Sequence, residues 1–177
     1  MSCKTLKVLL MATGLLWVFA ADAAAADGSN GWAIYGGIFD TRGDDRPGVD
    51  DRPFELGIEY RWREIERFEL PSRLQLKPTA GLAGTEDGNV WIYGGLRLDV
   101  QLGERWVMTP QFSVALYEDG DGKDLGGVVE FRSGFELAYR FEKGQRLGLL
   151  FYHLSNAGLY DSNPGSNSLV LTWGFGR

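Results

Sequence analysis

The chain has 177 residues, a formal net charge of −6, 6 Trp, 7 Tyr, 10 Phe, 25 Gly and a single Cys. An acidic balance without a basic patch argues against a nucleic-acid partner. The lone Cys3 excludes a disulfide within the chain and a Cys-based metal site.

From the N-terminus, Lys4 and Lys7 precede an apolar run from Val8 to Ala20, and Ala21–Ala26 offers small-residue cleavage positions. That order reads as a secretory signal peptide over 1–26. The apolar run is shorter than the roughly 20 residues a transmembrane helix needs. Cys3 lies before it, so it is not placed as a lipoprotein cysteine. Removal of Lys4, Lys7 and Asp22 with the peptide takes the net charge from −6 to −7. The remaining 27–177, about 151 residues, is one domain's worth of chain.

No segment after Ala26 sustains a helical apolar period, whereas alternation of period two recurs. Taken in order, it predicts strands over 32–39, 53–63, 74–83, 89–102, 106–117, 128–141, 146–155 and 167–175. The clearest places Leu96, Leu98, Val100 and Leu102 opposite Arg97, Asp99 and Gln101. Two others set Phe54, Leu56, Ile58, Tyr60 and Trp62 against Glu55, Glu59, Arg61 and Arg63, and Val129, Phe131, Phe135, Leu137, Tyr139 and Phe141 against Glu130, Arg132, Glu136 and Arg140.

Alternation alone fits either a soluble lipocalin-like barrel or a membrane barrel with its apolar face outward. Strand length and turn asymmetry favour the second. Links after odd strands are longer and polar (40–52, 85–88, 118–127, 156–166), while most links after even strands are short (103–105, 142–145); 64–73 is the exception. The expectation is an all-β, eight-stranded antiparallel transmembrane β-barrel in the outer membrane of a Gram-negative bacterium. In so narrow a barrel, Arg97, Asp99, Glu130, Arg132, Glu136 and Arg140 neutralise one another inside. Trp62, Trp91, Trp106 and Trp173 fall near strand ends and suit an interfacial girdle.

The only histidine, His153, shares a strand face with Leu147, Leu149, Phe151 and Ser155. On the next strand, Asn167 belongs to the face of Leu169, Leu171, Trp173 and Phe175. The three polar residues therefore meet at the long-loop end. Polar side chains on a lipid-facing wall are costly and point to function. Ser155 is a candidate nucleophile, His153 its base, and Asn167 a candidate acceptor for the Nδ1 proton. A position bordering interfacial water, or a reversed face assignment that turns His153 and Ser155 into a lumen, explains the same residues without chemistry.

His153-Leu-Ser155-Asn156-Ala157-Gly158, followed by Asn163-Pro-Gly165 and a closing apolar strand, resembles the signature of the PagL family of lipid A 3-O-deacylases. Only 153–167 is specific, although length and strand number fit throughout. The resemblance implies an outer-membrane serine esterase that releases the ester-linked 3-hydroxyacyl chain at the 3 position of lipid A. Its substrate is then lipopolysaccharide within outer-membrane lipid, and it needs no cofactor or metal. By position, Ser155 is the nucleophile and His153 the general base. Asn156, Gly158 and Asn163 are site-shaping or oxyanion-hole candidates. Where the family's triad has an acidic residue, this chain has Asn167, which orients an imidazole but adds no charge. Such a site implies slower turnover unless Asp161 substitutes, and leaves open a barrel of the same descent with a structural or adhesive role. Monomer and homodimer both remain open.

Arg42, Arg46 and Arg52 lie among Asp40, Asp44, Asp45, Asp50 and Asp51; their guanidinium forks suit lipid A phosphates and sugar acids, but the run reads rather as a solvated mixed-charge loop. In Glu118–Asp124, an EF-hand loop begun at Asp119 would put Lys123 at a ligand position and Asp124 where Gly is required, so the run is not a calcium loop of that kind.

Overall fold

The structure is a computed structural model that describes residues 30–42 and 52–176. The expected signal peptide over 1–26, and Arg46 with Asp44, Asp45, Asp50 and Asp51, lie outside the described residues.

Eight strands form: β1 (Gly31–Ile38), β2 (Phe54–Arg61), β3 (Leu74–Thr85), β4 (Val90–Leu102), β5 (Trp106–Glu118), β6 (Val129–Arg140), β7 (Arg146–Ser155) and β8 (Ser166–Gly176). Each pairs antiparallel with its sequence neighbours, and β1 pairs with β8 to close the barrel. Closure leaves no unpaired edge, the condition for strands to cross a bilayer. The long 62–73 link carries a single 3-10 turn, Glu66–Phe68, which makes compact what the turn asymmetry left unexplained.

The apolar set points outward. Ile34, Leu56, Ile92, Phe112, Leu137, Leu149 and Leu171 are all exposed, as a lipid-facing band requires. At the short-turn end, aromatic rings contact edge to face: Trp32 with Tyr60, Tyr60 with Trp62, and Trp106 with Tyr139. Trp173 packs on Phe141 there as well. This is the girdle expected for Trp62, Trp106 and Trp173. Trp91 departs from it, because it shares strand parity with Tyr93, Arg97 and Asp99 and so points into the barrel. It is 1% exposed and packs between Phe39 and Tyr117.

The lumen is filled in two storeys. In the lower, the wholly buried Arg97 binds Glu136 at 2.7 Å, Glu59 at 2.8 Å and Asp99 at 3.3 Å. Arg61 joins Glu59 at 2.7 Å, while Arg146 and Lys77 reach Asp99 at 2.7 and 3.1 Å. The charges satisfy one another, the condition for tolerating ions away from water. In the upper storey, Arg132 departs from the expected charge pairing. Its guanidinium lies 4.0 Å from the ring centroid of Tyr152 and 4.5 Å from that of Tyr93, and donates to Gln111 at 2.9 Å. Glu130 stands apart from the ion network, beside Asn156. Above these, Phe39, Trp91, Tyr117, Leu125 and Leu154 form an apolar plug.

Candidate active site

The site is built on β7 and β8, whose outward residues carry the polar break in the apolar wall. His153 is paired directly with Asn167 across the two strands, and Nδ1 lies 3.0 Å from Asn167 Oδ1. The amide oxygen can accept only if Nδ1 carries the proton, which leaves the Nε2 lone pair free. Both side chains are half-buried on the outer wall, as is that of Ser155. The reversed face assignment is thereby excluded, since Tyr152 and Leu154 are the β7 residues that enter the lumen.

Ser155 lies two residues beyond His153 on the same face, about 6.6 Å along the strand. Among the described residues, the imidazole's one hydrogen bond is the one to Asn167. The Ser155 hydroxyl is thus a neighbour of the base rather than bonded to it, a looser arrangement common where substrate completes the geometry. Asp161 is exposed in the loop, and the Nδ1 edge it would need is already taken by Asn167. On the other flank of His153, β6 places Ser133, exposed and directly opposite in register. The alternation puts Ser133 in the apolar set of β6, where a hydroxyl is the exception, and that signal would have found it.

The loop after Ser155 is shaped by its asparagines. Ala157 and Gly158 have φ of 54° and 79°, and the Leu159 N–H donates to the Asn156 carbonyl at 3.0 Å. Two successive positive φ values with that bond make a type I′ turn, which suits Gly at its second central position. Asn156 is fully buried. Its amide donates to the carbonyls of Ser162 at 2.8 Å and Leu125 at 3.0 Å, and its Oδ1 accepts the Gly158 N–H at 3.0 Å. The Asn156 N–H in turn donates to Asn163 Oδ1 at 3.1 Å. The amide of Asn156 and the N–H of Gly158 are therefore committed within the loop, which fits site-shaping and leaves neither as an oxyanion donor. The bond to Leu125 also fastens this loop to the one between β5 and β6, and the first N–H of β6, that of Val129, donates to the Tyr160 hydroxyl at 3.2 Å.

A further residue of the site, quoted in sequence only as the end of the Asn163-Pro-Gly165 stretch, has a task that the sequence does not show. Gly165, buried and with φ of 64°, lies beside the free edge of the imidazole. A Cβ there would sit 2.9 Å from His153 Cε1 and 3.3 Å from Nε2. Absence of a side chain keeps open the edge whose lone pair would accept a proton.

A family model described as lipid A 3-O-deacylase (PagL) matches residues 55–176, a span from β2 to β8 that includes the whole site. Among solved structures, the crystal structure of the outer membrane enzyme PagL is similar at 18% identity and a TM-score of 0.65, over 84% of this chain and 100% of that one. Neisserial surface protein A (NspA) is similar at 12% identity and a TM-score of 0.54, over 86% of this chain and 99% of that one. These two likenesses concern the barrel fold. No curated protein matches the chain.

Proposed function

This chain belongs to the lipid A 3-O-deacylase (PagL) family, and on that premise we propose that Ser155 is its nucleophile, His153 its general base and Asn167 the residue that orients the base. The protein is an outer-membrane hydrolase that removes the ester-linked 3-hydroxyacyl chain at the 3 position of lipid A. Its substrate is a lipid of the leaflet that surrounds the barrel, so a site on the outer wall is reached by lateral diffusion in the membrane.

In the first half-reaction, Ser155 Oγ attacks the ester carbonyl as His153 Nε2 takes its proton. The tetrahedral intermediate collapses when the imidazolium returns that proton to the sugar oxygen, breaking the acyl carbon–oxygen bond and leaving the acyl chain on Ser155. In the second, Nε2 takes a proton from water, the resulting nucleophile attacks the acyl-enzyme, and the 3-hydroxy fatty acid departs as the serine hydroxyl is restored. No cofactor enters either step. Asn156 and Gly158 shape the wall beside Ser155. Asn163 uses its Oδ1 on Asn156, and its Nδ2 is the side-chain donor left among these candidates for the oxyanion.

The observation that supports the reading most is the 3.0 Å contact between His153 Nδ1 and Asn167 Oδ1 on the lipid-facing wall, with Ser155 next along that face. A lipophilic fluorophosphonate, which captures activated serines, tests it. Peptide mass spectrometry is expected to find the label on Ser155, and to lose it in His153→Ala. Labelling at another serine, or unchanged labelling in His153→Ala, would overturn the assignment.

A further inference from the structure

One step inward from the site, Tyr152 and Ser168 form the cross-strand pair adjacent to His153 and Asn167, and both enter the lumen. They converge on a single carboxylate. The Tyr152 hydroxyl lies 2.6 Å from Glu55 Oε1 and 2.7 Å from Oε2, and Ser168 Oγ donates to Oε2 at 2.9 Å. Glu55 is wholly buried and comes from β2, which pairs with β1 and β3 and has no ladder contact with β7 or β8.

This tie has a direct geometric consequence for the site. Successive residues of a strand project to opposite faces, so a clamp on the inner side chains of 152 and 168 fixes the backbone that carries the outer side chains of 153 and 167. A small slide of β7 against β8 would lengthen the 3.0 Å imidazole–amide contact, and one carboxylate bonded to both strands opposes it. The guanidinium of Arg132, 4.0 Å from the Tyr152 ring centroid, restrains the same tyrosine from a second side.

We propose that Glu55 is a positioning residue for the general base, acting across the lumen through Tyr152 and Ser168. The proposal rests on His153 being that base. It assigns a task to a buried carboxylate outside the lower ion network, and it predicts that a change at Glu55 is read at an imidazole on the opposite surface of the barrel wall.

Because His153 is the only histidine of the chain, ¹⁵N-histidine labelling of tag-free protein gives one imidazole to observe. The wild type is expected to show the Nδ1-protonated form. In Glu55→Ala and in Tyr152→Phe, the imidazole is expected to show mixed tautomers, and kcat is expected to fall on the order of 10- to 100-fold with KM little changed. Glu55→Gln, whose amide oxygen still accepts the tyrosine hydroxyl, is expected to recover most of both. Heat-modifiable gel mobility reports whether each barrel has folded; if Glu55→Ala has not, Tyr152→Phe and Ser168→Ala decide by the same two readouts. Wild-type imidazole signals in these variants would overturn the proposal. Retained activity in His153→Ala would instead remove the base assignment, an outcome the tautomer measurement keeps separate.

Discussion

The Nδ1 of His153 and the Oδ1 of Asn167 lie 3.0 Å apart, across a directly opposed cross-strand pair whose side chains face away from the barrel interior. The partner is an amide where a carboxylate would also stabilise the imidazolium. In serine proteases the Asp-to-Asn change loses about 10⁴ in kcat, although there it also sets the wrong tautomer. Here the amide oxygen sets the right one and only the charge is missing. Asn167→Asp is therefore expected to raise kcat by about tenfold or more, and Asn167→Ala to lower it by a comparable factor. Release of 3-hydroxy fatty acid from lipid A in detergent measures both, and an Asn167→Asp enzyme slower than wild type would count against the orienting role.

Gly165→Ala places a methyl 2.9 Å from His153 Cε1 at a φ of 64°. The conformational cost is about 1–2 kcal/mol, and the methyl meets the reactive edge of the ring. Gly144, also at positive φ but with open space around it, is the control for strain alone. Gly165→Ala is expected to fold and lose most of its turnover, while Gly144→Ala keeps it. Equal activity in the two would mean that the imidazole edge needs no such clearance.

Asn156 joins three parts of the loops through one buried side chain. Asn156→Ala removes two donors and one acceptor and leaves the Leu125 and Ser162 carbonyls without that partner. A loss of about 1–3 kcal/mol follows for local order, expected as faster proteolysis within 156–165 and a reduced kcat. Unaltered cleavage kinetics would assign the loop's order to other contacts.

Arg97 neutralises Glu59, Asp99 and Glu136 together. Arg97→Met leaves these carboxylates short of a buried cation, with an expected cost of about 3–5 kcal/mol. Urea unfolding in lipid vesicles, followed by tryptophan fluorescence, is the measurement. A variant as stable as wild type would show that Arg61, Arg146 and Lys77 suffice.

Much of this molecule was legible in sequence because a lipid-facing barrel reverses every second residue. The alternation of Leu96, Leu98 and Val100 with Arg97 and Asp99 marks both faces of β4, and all eight strands end within two residues of where alternation places them. It also brings His153, Ser155 and Asn167 to one patch, since parity alone fixes their side. Trp91 shows the limit: residue type suggested the interface, whereas its parity with Arg97 decided for the lumen. Contacts across the barrel were not legible at all. Glu55 and Tyr152 are 97 residues apart, and nothing in either strand records that they meet. The task of Gly165 was hidden for a related reason, because a glycine chosen for the space it leaves looks like one chosen for a turn.

The most direct test is mass spectrometry of lipid A from a Gram-negative host without such an enzyme, expressing either the wild-type chain or Ser155→Ala, with the barrel shown by heat-modifiable mobility to be folded in the outer membrane. Loss of one 3-hydroxyacyl group with the wild type, and intact lipid A with Ser155→Ala, is the predicted result. Deacylated lipid A in both strains would contradict Ser155 as nucleophile, and intact lipid A in both would contradict turnover with Asn167 as the third member of the site.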